Sequence, residues 1–327
     1  MERKTKELHY KRAVLQGVNT TLQLALEDIF NAVPLPEGRL EYLGLNNDEG
    51  RVMLDERHHQ ALLCTTMTTY TKGALQAIMG RKAQSRNWPI RQTLPPSLPG
   101  ADETEFLDGI LFFGVSNNHV VFLPSRSCTS ENLEDYLNYL LSMEPNGPGG
   151  PVVSLNDRSP REYRRKRFKH VRGFTINTEL DAKSRAHREK TKKTSTLTFT
   201  PVGHAWEAVK SLIAQIGGQL PEDEILLEED FDPEDVHVKI EISSHKKDLE
   251  TSGPFLDVLA NSLRHVESDV VRVEFDDGTI LRGDQLKTKK AIRLDCSNNM
   301  PVANQVDTAI HGYLQELLKS GMVTEEK

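Results

Sequence analysis

The stretch ILFFGVSNNHVVFL, residues 110–123, determines the fold class of this 327-residue chain. It consists of an apolar run from Ile110 to Val115, polar residues from Ser116 to Asn118, and a second apolar run from His119 to Leu123. Two short apolar runs joined by turn-forming residues are typical of an antiparallel pair of strands. We therefore predict a buried strand, a tight turn and the antiparallel partner of that strand.

A helix is predicted directly after this pair of strands. Thr129 or Ser130 can cap its first turn, because a side-chain oxygen at that position accepts a free backbone N–H group. The apolar residues that follow have the i, i+3, i+4 spacing of a helix packed on a sheet: Leu133, Tyr136, Leu137, Leu140 and Leu141. Together with further strand patterns, this predicts an α+β protein with mixed, mainly antiparallel sheets and packed helices.

The segment from Pro145 to Pro151 has three prolines and three glycines in seven residues. This composition supports neither a helix nor a central strand. We therefore predict two domains, an N-terminal α+β domain over residues 1–148 and a C-terminal α+β domain over residues 149–327. A long surface loop inside one domain is the alternative. A second irregular segment is predicted between Gly80 and Gly100.

The overall composition is that of a folded protein, with 37% hydrophobic and 27% charged residues. The charged start, Met1 to Lys6, lacks the apolar stretch of a signal peptide, and no run reaches the ~18 apolar residues of a membrane span. Three widely spaced cysteines form neither a zinc motif nor a disulfide framework, and each is interpreted as a small apolar residue of the core. We expect a cytoplasmic location.

The net charge of −7 hides a basic segment, Arg158 to Lys193. This segment has 14 Lys or Arg and 4 Asp or Glu, a local charge of +10. Lysine and arginine neutralise phosphates and release counterions, a contribution that does not depend on base sequence. We predict double-stranded DNA as the partner and the following residues as its contacts: Arg161, Arg164, Arg165, Lys166, Arg167, Lys169, Arg172, Arg185, Arg188, Lys190, Lys192 and Lys193.

Two other interpretations of the basic segment remain open. It could form ion pairs with the acidic run Glu222 to Asp235, which has nine acids and no base, or with a protein partner. It could also be a solvated surface. A pure protein-interaction module is therefore one alternative to DNA binding.

Signatures of catalysis are weak, so we expect no enzyme, no cofactor, no metal and no small-molecule substrate. The one enzymatic alternative is a magnesium-dependent nuclease. Asp157 and Asp181 each follow a predicted strand and could hold Mg²⁺, while Lys183 could help to activate water. An acid two residues before a lysine is, however, common by chance in such a charged region.

The order of elements resembles the RexA-like phage-exclusion proteins and, more distantly, the KwaB defence proteins. The resemblance is carried by Ile110 to Phe122, by the helix Asn132 to Leu137, and more weakly by Pro201 to Gly218 and Asp235 to Ile240. It implies a cytoplasmic homodimer with a globular and a mobile domain that binds DNA with little sequence specificity. It also implies a role in phage exclusion together with a membrane effector of the RexB type.

A final helix is predicted from Pro301, with an apolar stripe along Val302 to Leu318. The stripe has two possible uses. It could form the interface of a homodimer, or it could be buried within one chain.

Overall fold

The computed structural model describes residues 2–79, 90–101, 103–143, 150–159, 261, 272–275 and 278–323. It describes the backbone alone of residues 171–179, 187–191, 194–199, 225–228, 237–243 and 271. The protein is an α+β protein with mainly antiparallel sheets, as predicted, and helices form the smaller part of the residues that the structure describes.

The elements before residue 157 include most of the strands of the largest sheet. In chain order they are β1 (Glu2–Gln16), α1 (Leu22–Ala32), β2 (Glu41–Leu43), β3 (Glu49–Met53), β4 (Arg57–His59), β5 (Leu62–Thr71), β6 (Gln76–Met79), β7 (Ile90–Thr93), β8 (Leu107–Ser116), β9 (His119–Leu123), α2 (Ser130–Leu141) and β10 (Val152–Asn156). A short 3-10 helix, Pro36–Arg39, precedes β2.

The later elements form smaller sheets and then return to the first one. In chain order they are β11 (Val171–Glu179), β12 (His187–Thr191), β13 (Thr194–Phe199), β14 (Ile225–Glu228), β15 (His237–Ser243), β16 (Val271–Phe275), β17 (Ile280–Arg282), β18 (Lys289–Ser297), β19 (Met300–Pro301) and α3 (Ala303–Lys319). The 3-10 helix Gly283–Leu286 follows β17.

Contacts between residues divide the chain into two units. The first unit comprises residues 1–155 and 289–327, and the second comprises residues 156–288. This division differs from the predicted one at residue 148, because the last part of the chain belongs with the first. The physical reason is strand pairing: β18 is antiparallel to β1, from Glu2 opposite Cys296 to His9 opposite Lys289.

The first unit is built on a ten-stranded sheet. Its main path runs in the order β19-β18-β1-β9-β8-β5-β3-β2, while β10 pairs with β1 and β4 pairs with β5. The predicted hairpin of residues 110–123 is confirmed as β8 and β9, with Phe113 opposite Phe122. Asn117 has a φ of 52°, a left-handed conformation that asparagine tolerates at a tight turn.

Helices cover both faces of this sheet. On one face, α1 and α2 bury Leu26, Leu137 and neighbouring residues against Phe113 and Phe122. On the other face, α3 buries Ile310 and Leu314 against a second set of strand residues. The stripe of the final helix is therefore used within the chain, which answers one of the two alternatives left open by its sequence.

Thr129 is the N-cap of α2, one of the two predicted positions, and its backbone N–H donates to Asn132 Oδ1 at 2.8 Å. The irregular segment predicted at Gly80 to Gly100 is wrong in part. Ile90–Thr93 forms β7, which is antiparallel to β6 with Met79 opposite Ile90. Pro95 and Pro96 follow that strand and so leave its hydrogen bonds intact.

The second unit contains a four-stranded sheet in the order β15-β11-β16-β17 and a three-stranded sheet in the order β12-β13-β14. The paired strands described in these two sheets are antiparallel. The predicted hairpin around Asp276 to Gly278 is confirmed as β16 and β17, with Val273 opposite Leu281. Gly278 has a φ of +80°, the conformation expected of glycine at such a turn. The helices predicted from Pro201 and from Gly253 lie outside the described residues, apart from residue 261.

Candidate nucleic-acid interface

Most of the predicted DNA contacts lie outside the described residues. This applies to Arg161, Arg164, Arg165, Lys166, Arg167, Lys169, Arg185, Lys192 and Lys193. The backbone is described for the other three, Arg172, Arg188 and Lys190. The acidic run Glu222 to Asp235 is described only at β14.

Arg188 and Lys190 lie on β12, an edge strand of the three-stranded sheet. Arg188 is opposite Leu197 and Lys190 is opposite Ser195. Positions two residues apart in a strand share one face of its sheet. The backbone therefore places these two basic positions side by side on one face at the edge of a sheet.

Arg172 lies on β11, at an irregularity in its pairing with β16. Val171 is opposite Phe275 and Gly173 is opposite Glu274, so Arg172 is an extra residue between two successive positions of the partner strand. Bulges of this kind change the direction in which the strand presents its residues. Arg172 therefore does not follow the regular alternation of its strand.

Arg158 begins the basic segment and is only partly exposed. Its backbone carbonyl accepts a hydrogen bond from Thr288 Oγ1, which joins the two ends of the second unit. Its Nη1 atom is buried, and the structure gives that atom no hydrogen-bond partner. Arg158 is thus anchored by its backbone to the fold, while its guanidinium is not fully satisfied by it.

The nuclease alternative depends on three residues, of which the structure describes one. Asp157 is 4% exposed and follows β10, as predicted. Asp181 and Lys183 lie outside the described residues. Among the residues that are described, no group of three or more His, Cys, Asp or Glu is placed to hold a metal ion.

Two arginines that the sequence reasoning missed lie opposite each other in the second unit. Arg272 on β16 pairs with Arg282 on β17, and both are exposed. The alternation of the hairpin explains their position, since the next pair in the ladder, Val273 and Leu281, is buried. We refer to Arg272 and Arg282 as the arginine pair.

Arginines of the first unit are used differently, and Arg57 is the clearest case. Its Nε and Nη2 atoms donate to the two carboxylate oxygens of Asp307 at 2.9 and 3.1 Å. Its Nη1 atom donates to Asp55 and to Thr66 Oγ1. Burial opposes the charge of Arg57, but the bonds to Asp307 and Asp55 outweigh it and raise the pKa of its guanidinium. This guanidinium joins α3 to the sheet.

Arg51 and Arg39 also have hydrogen-bond partners within the first unit. Arg51 is 6% exposed and donates to Glu41 Oε2 at 2.9 Å, with Asp135 Oδ2 at 3.6 Å. Arg39 is 2% exposed and donates to the carbonyls of Val33 and Pro34 at 2.8 and 3.0 Å. Neither guanidinium is available to an external phosphate.

A cavity of about 240 Å³ opens beside Arg51, between the sheet and the start of α2. Tyr70, Thr69, Glu49 and Asp108 contribute to its lining. Its charged lining is mainly acidic, and its arginine is already paired with Glu41. This cavity is therefore poorly suited to phosphate groups.

The three cysteines are buried and free, as their sequence context predicts. Burial raises the pKa of the Cys64 thiol to about 12, with a further contribution from nearby Asp307. Burial also raises the pKa of Cys128 to about 12. Both side chains are protonated at neutral pH, and a thiol is a weak nucleophile.

In comparisons with known proteins, the sequence matches no protein-family model and no curated protein. Among the described residues, no helix is long and apolar enough to cross a membrane. The function is therefore argued from the chemistry of the chain itself.

Proposed function

We propose that this protein binds double-stranded DNA through the phosphate backbone, with little dependence on base sequence. The observation that carries the proposal is the concentration of 14 Lys or Arg and only 4 Asp or Glu in the basic segment. A surface of that charge attracts a polyanion over several ångströms and releases its counterions on contact.

The described backbone gives two further observations in support. Arg188 and Lys190 occupy neighbouring positions on one face of an edge strand. Three buried or partly buried arginines of the first unit, Arg57, Arg51 and Arg39, already have internal partners and are not offered to a ligand.

The resemblance to the RexA-like proteins supports a biological setting for this binding. We propose a cytoplasmic homodimer that recognises phage DNA or its replication complexes during phage exclusion and signals to a membrane effector of the RexB type. Since α3 is buried within one chain, the dimer would need a surface other than its apolar stripe. The proposed activity is binding rather than catalysis.

Fluorescence anisotropy with a labelled duplex at several salt concentrations tests the proposal. The logarithm of the affinity should fall linearly with the logarithm of the salt concentration, at about 0.9 per neutralised phosphate. Arg164→Ala, Arg165→Ala and Arg167→Ala in one chain should lower that slope by about 2 to 3. A duplex of unrelated sequence should bind with similar affinity.

A matched control removes three positive charges from the first unit, with Arg3→Ala, Lys6→Ala and Arg293→Ala. This variant should bind as the parent protein does. Equal weakening by both triple variants would show that net charge, and not the basic segment, sets the affinity. Absence of salt-sensitive binding by the parent protein would contradict the proposal and favour a protein-interaction module.

The same samples, incubated with Mg²⁺ and analysed on a gel, test the nuclease alternative. Intact duplex supports binding without catalysis. Magnesium-dependent cutting that is abolished by Asp181→Ala would replace the proposal with the nuclease.

A further inference from the structure

The hairpin of β16 and β17 in the second unit buries apolar residues on one face and carries arginines on the other. Val273, Phe275 and Leu281 are buried on the first face. Since side chains alternate along a strand, Arg272 and Arg282 belong to the opposite face, and both are exposed there. Because the neighbouring pair Val273 and Leu281 is buried on one face, the arginine pair lies on the exposed face.

The two arginines are direct cross-strand neighbours, because Arg272 is paired with Arg282 in the ladder of β16 and β17. Residues so paired have Cβ atoms about 5 Å apart, and like charges in this arrangement destabilise the sheet. Among the side chains that the structure describes, no carboxylate forms an ion pair with either guanidinium. Within the described residues, no ion pair to a carboxylate offsets this repulsion.

Acidic positions also exist on the same face. Glu274 lies two residues from Arg272 along β16, is opposite Ile280 and has an interaction of its own. Across the sheet, Arg272 is followed by Thr175 on β11 and then by Glu241 on β15. Two strand spacings separate Glu241 from Arg272, about 10 Å.

The location of the pair at the sheet edge favours access by a large ligand. β17 is the last strand of the order β15-β11-β16-β17. Two guanidinium groups about 5 Å apart at their Cβ atoms can contact one phosphodiester or two successive ones, and arginine forks match phosphate oxygens in geometry. A bound phosphate would also place a negative charge between them and offset their repulsion.

We propose that Arg272 and Arg282 form a phosphodiester-binding site on the outward face of the four-stranded sheet, outside the basic segment. The inference rests on the proposed function, because it takes duplex DNA as the ligand. It extends the DNA-binding surface to residues that lie about 80 positions further along the chain.

The test compares the full chain with Arg272→Ala/Arg282→Ala in anisotropy titrations of a labelled duplex over a series of salt concentrations. The salt slope should fall by about 2, and the affinity at low salt should fall roughly tenfold. Arg272→Lys/Arg282→Lys keeps both charges and should retain the slope. Far-UV circular dichroism and urea unfolding check that each variant is folded.

Arg3→Ala/Arg293→Ala is the matched control. These arginines are also exposed and lie on two paired strands, β1 and β18, but Asp295 stands opposite Arg3. This variant should bind as the parent protein does. If it weakens binding as much as the arginine pair variant, the effect is one of net charge and the proposed site is overturned.

The outcomes separate the two proposals. Weakening by the arginine pair variant, with a normal control, supports the site. Unchanged binding by that variant, while the variant of Arg164, Arg165 and Arg167 is weakened, overturns the site and leaves the proposed function in place. Weaker binding by the arginine pair variant, with unchanged binding by the variant of Arg164, Arg165 and Arg167, would overturn the role of the basic segment. No binding by the parent protein would overturn both.

Discussion

Two arginines of the first unit and two of the second differ in what balances their charge. In the first unit, Arg57 is held by two oxygens of Asp307 and Arg51 by Glu41, so each guanidinium serves the fold. In the second unit, Arg272 and Arg282 are exposed and face each other across a ladder. The difference teaches that the number of arginines in a region says little about binding, since internal partners decide which guanidinium groups remain for a ligand.

The largest effect is expected when an arginine of the first unit loses its carboxylate partner, so that its charge is left unbalanced like those of the arginine pair. Asp307→Asn removes the carboxylate beside Arg57, and Asp307 is 4% exposed. We expect the free energy of unfolding to fall by about 2–3 kcal/mol, because a partly buried guanidinium loses its main counter-charge while Asp55 remains.

Urea unfolding followed by circular dichroism measures this change. Arg272→Ala is the control, since removing an exposed arginine should alter the free energy of unfolding by less than about 0.5 kcal/mol. Equal effects of the two substitutions would show that Arg57 and Asp307 contribute no more than a surface contact.

The second prediction separates charge from geometry. Arg39→Lys keeps the positive charge but loses the planar fork that reaches the carbonyls of Val33, Pro34 and Met53. We expect a loss of about 1–2 kcal/mol in the free energy of unfolding, because buried carbonyls are left without a donor. Arg282→Lys, its counterpart on the exposed face, should leave stability unchanged. If Arg39→Lys leaves the free energy of unfolding unchanged, water or the lysine ammonium group replaces the hydrogen bonds of the guanidinium.

These differences bear on how much of the molecule its sequence could predict. The hairpin Ile110 to Leu123 and the final helix were predictable, because their turn residues and apolar spacing are local signals. The pairing of β1 with β18 was not. It joins opposite ends of the chain, and nothing in Glu2–Gln16 or Lys289–Ser297 specifies the other.

The candidate site could be predicted only where basic residues are clustered in the sequence. The basic segment stands out by composition, whereas Arg272 and Arg282 are isolated in sequence and become neighbours only through the register of a hairpin. That register follows from the turn around Gly278, so the pair could have been found by writing out the predicted ladder. The partners of Arg57 could not, since Asp307 is 250 residues away.

A third prediction sharpens the comparison by giving the arginine pair an internal counter-charge. Arg282→Glu converts a like-charge pair into an opposite-charge pair at the same register position. We expect the free energy of unfolding to rise by about 0.5 kcal/mol, and the amides of Val273 and Leu281 to exchange hydrogen more slowly. Binding of duplex DNA should weaken at the same time. A loss of stability would show that the two side chains do not interact across the strands.

The smallest effect on stability is expected when acid protonates His311, which lies beside another histidine in the first unit. His59 on β4 and His311 on α3 have ring centroids 5.7 Å apart. Burial and then the neighbouring His59 lower the pKa of His311 from its usual 6.5. A base whose pKa is lower in the folded protein binds fewer protons there than when unfolded. The contribution of His311 to the stability is therefore complete above about pH 6.5, and it is lost as the pH falls through the pKa of His311 in the folded protein.

The effect should be small because both rings are partly exposed and solvent screens their charges. Urea unfolding at about pH 7.5 and about pH 5.5 measures it, with His311→Gln expected to lose less stability on acidification than the parent protein. His58→Gln is the control, because His58 lies beside Glu56 rather than His311. If His311→Gln and the parent protein lose equal stability, protonation of this pair has no part in the acid response.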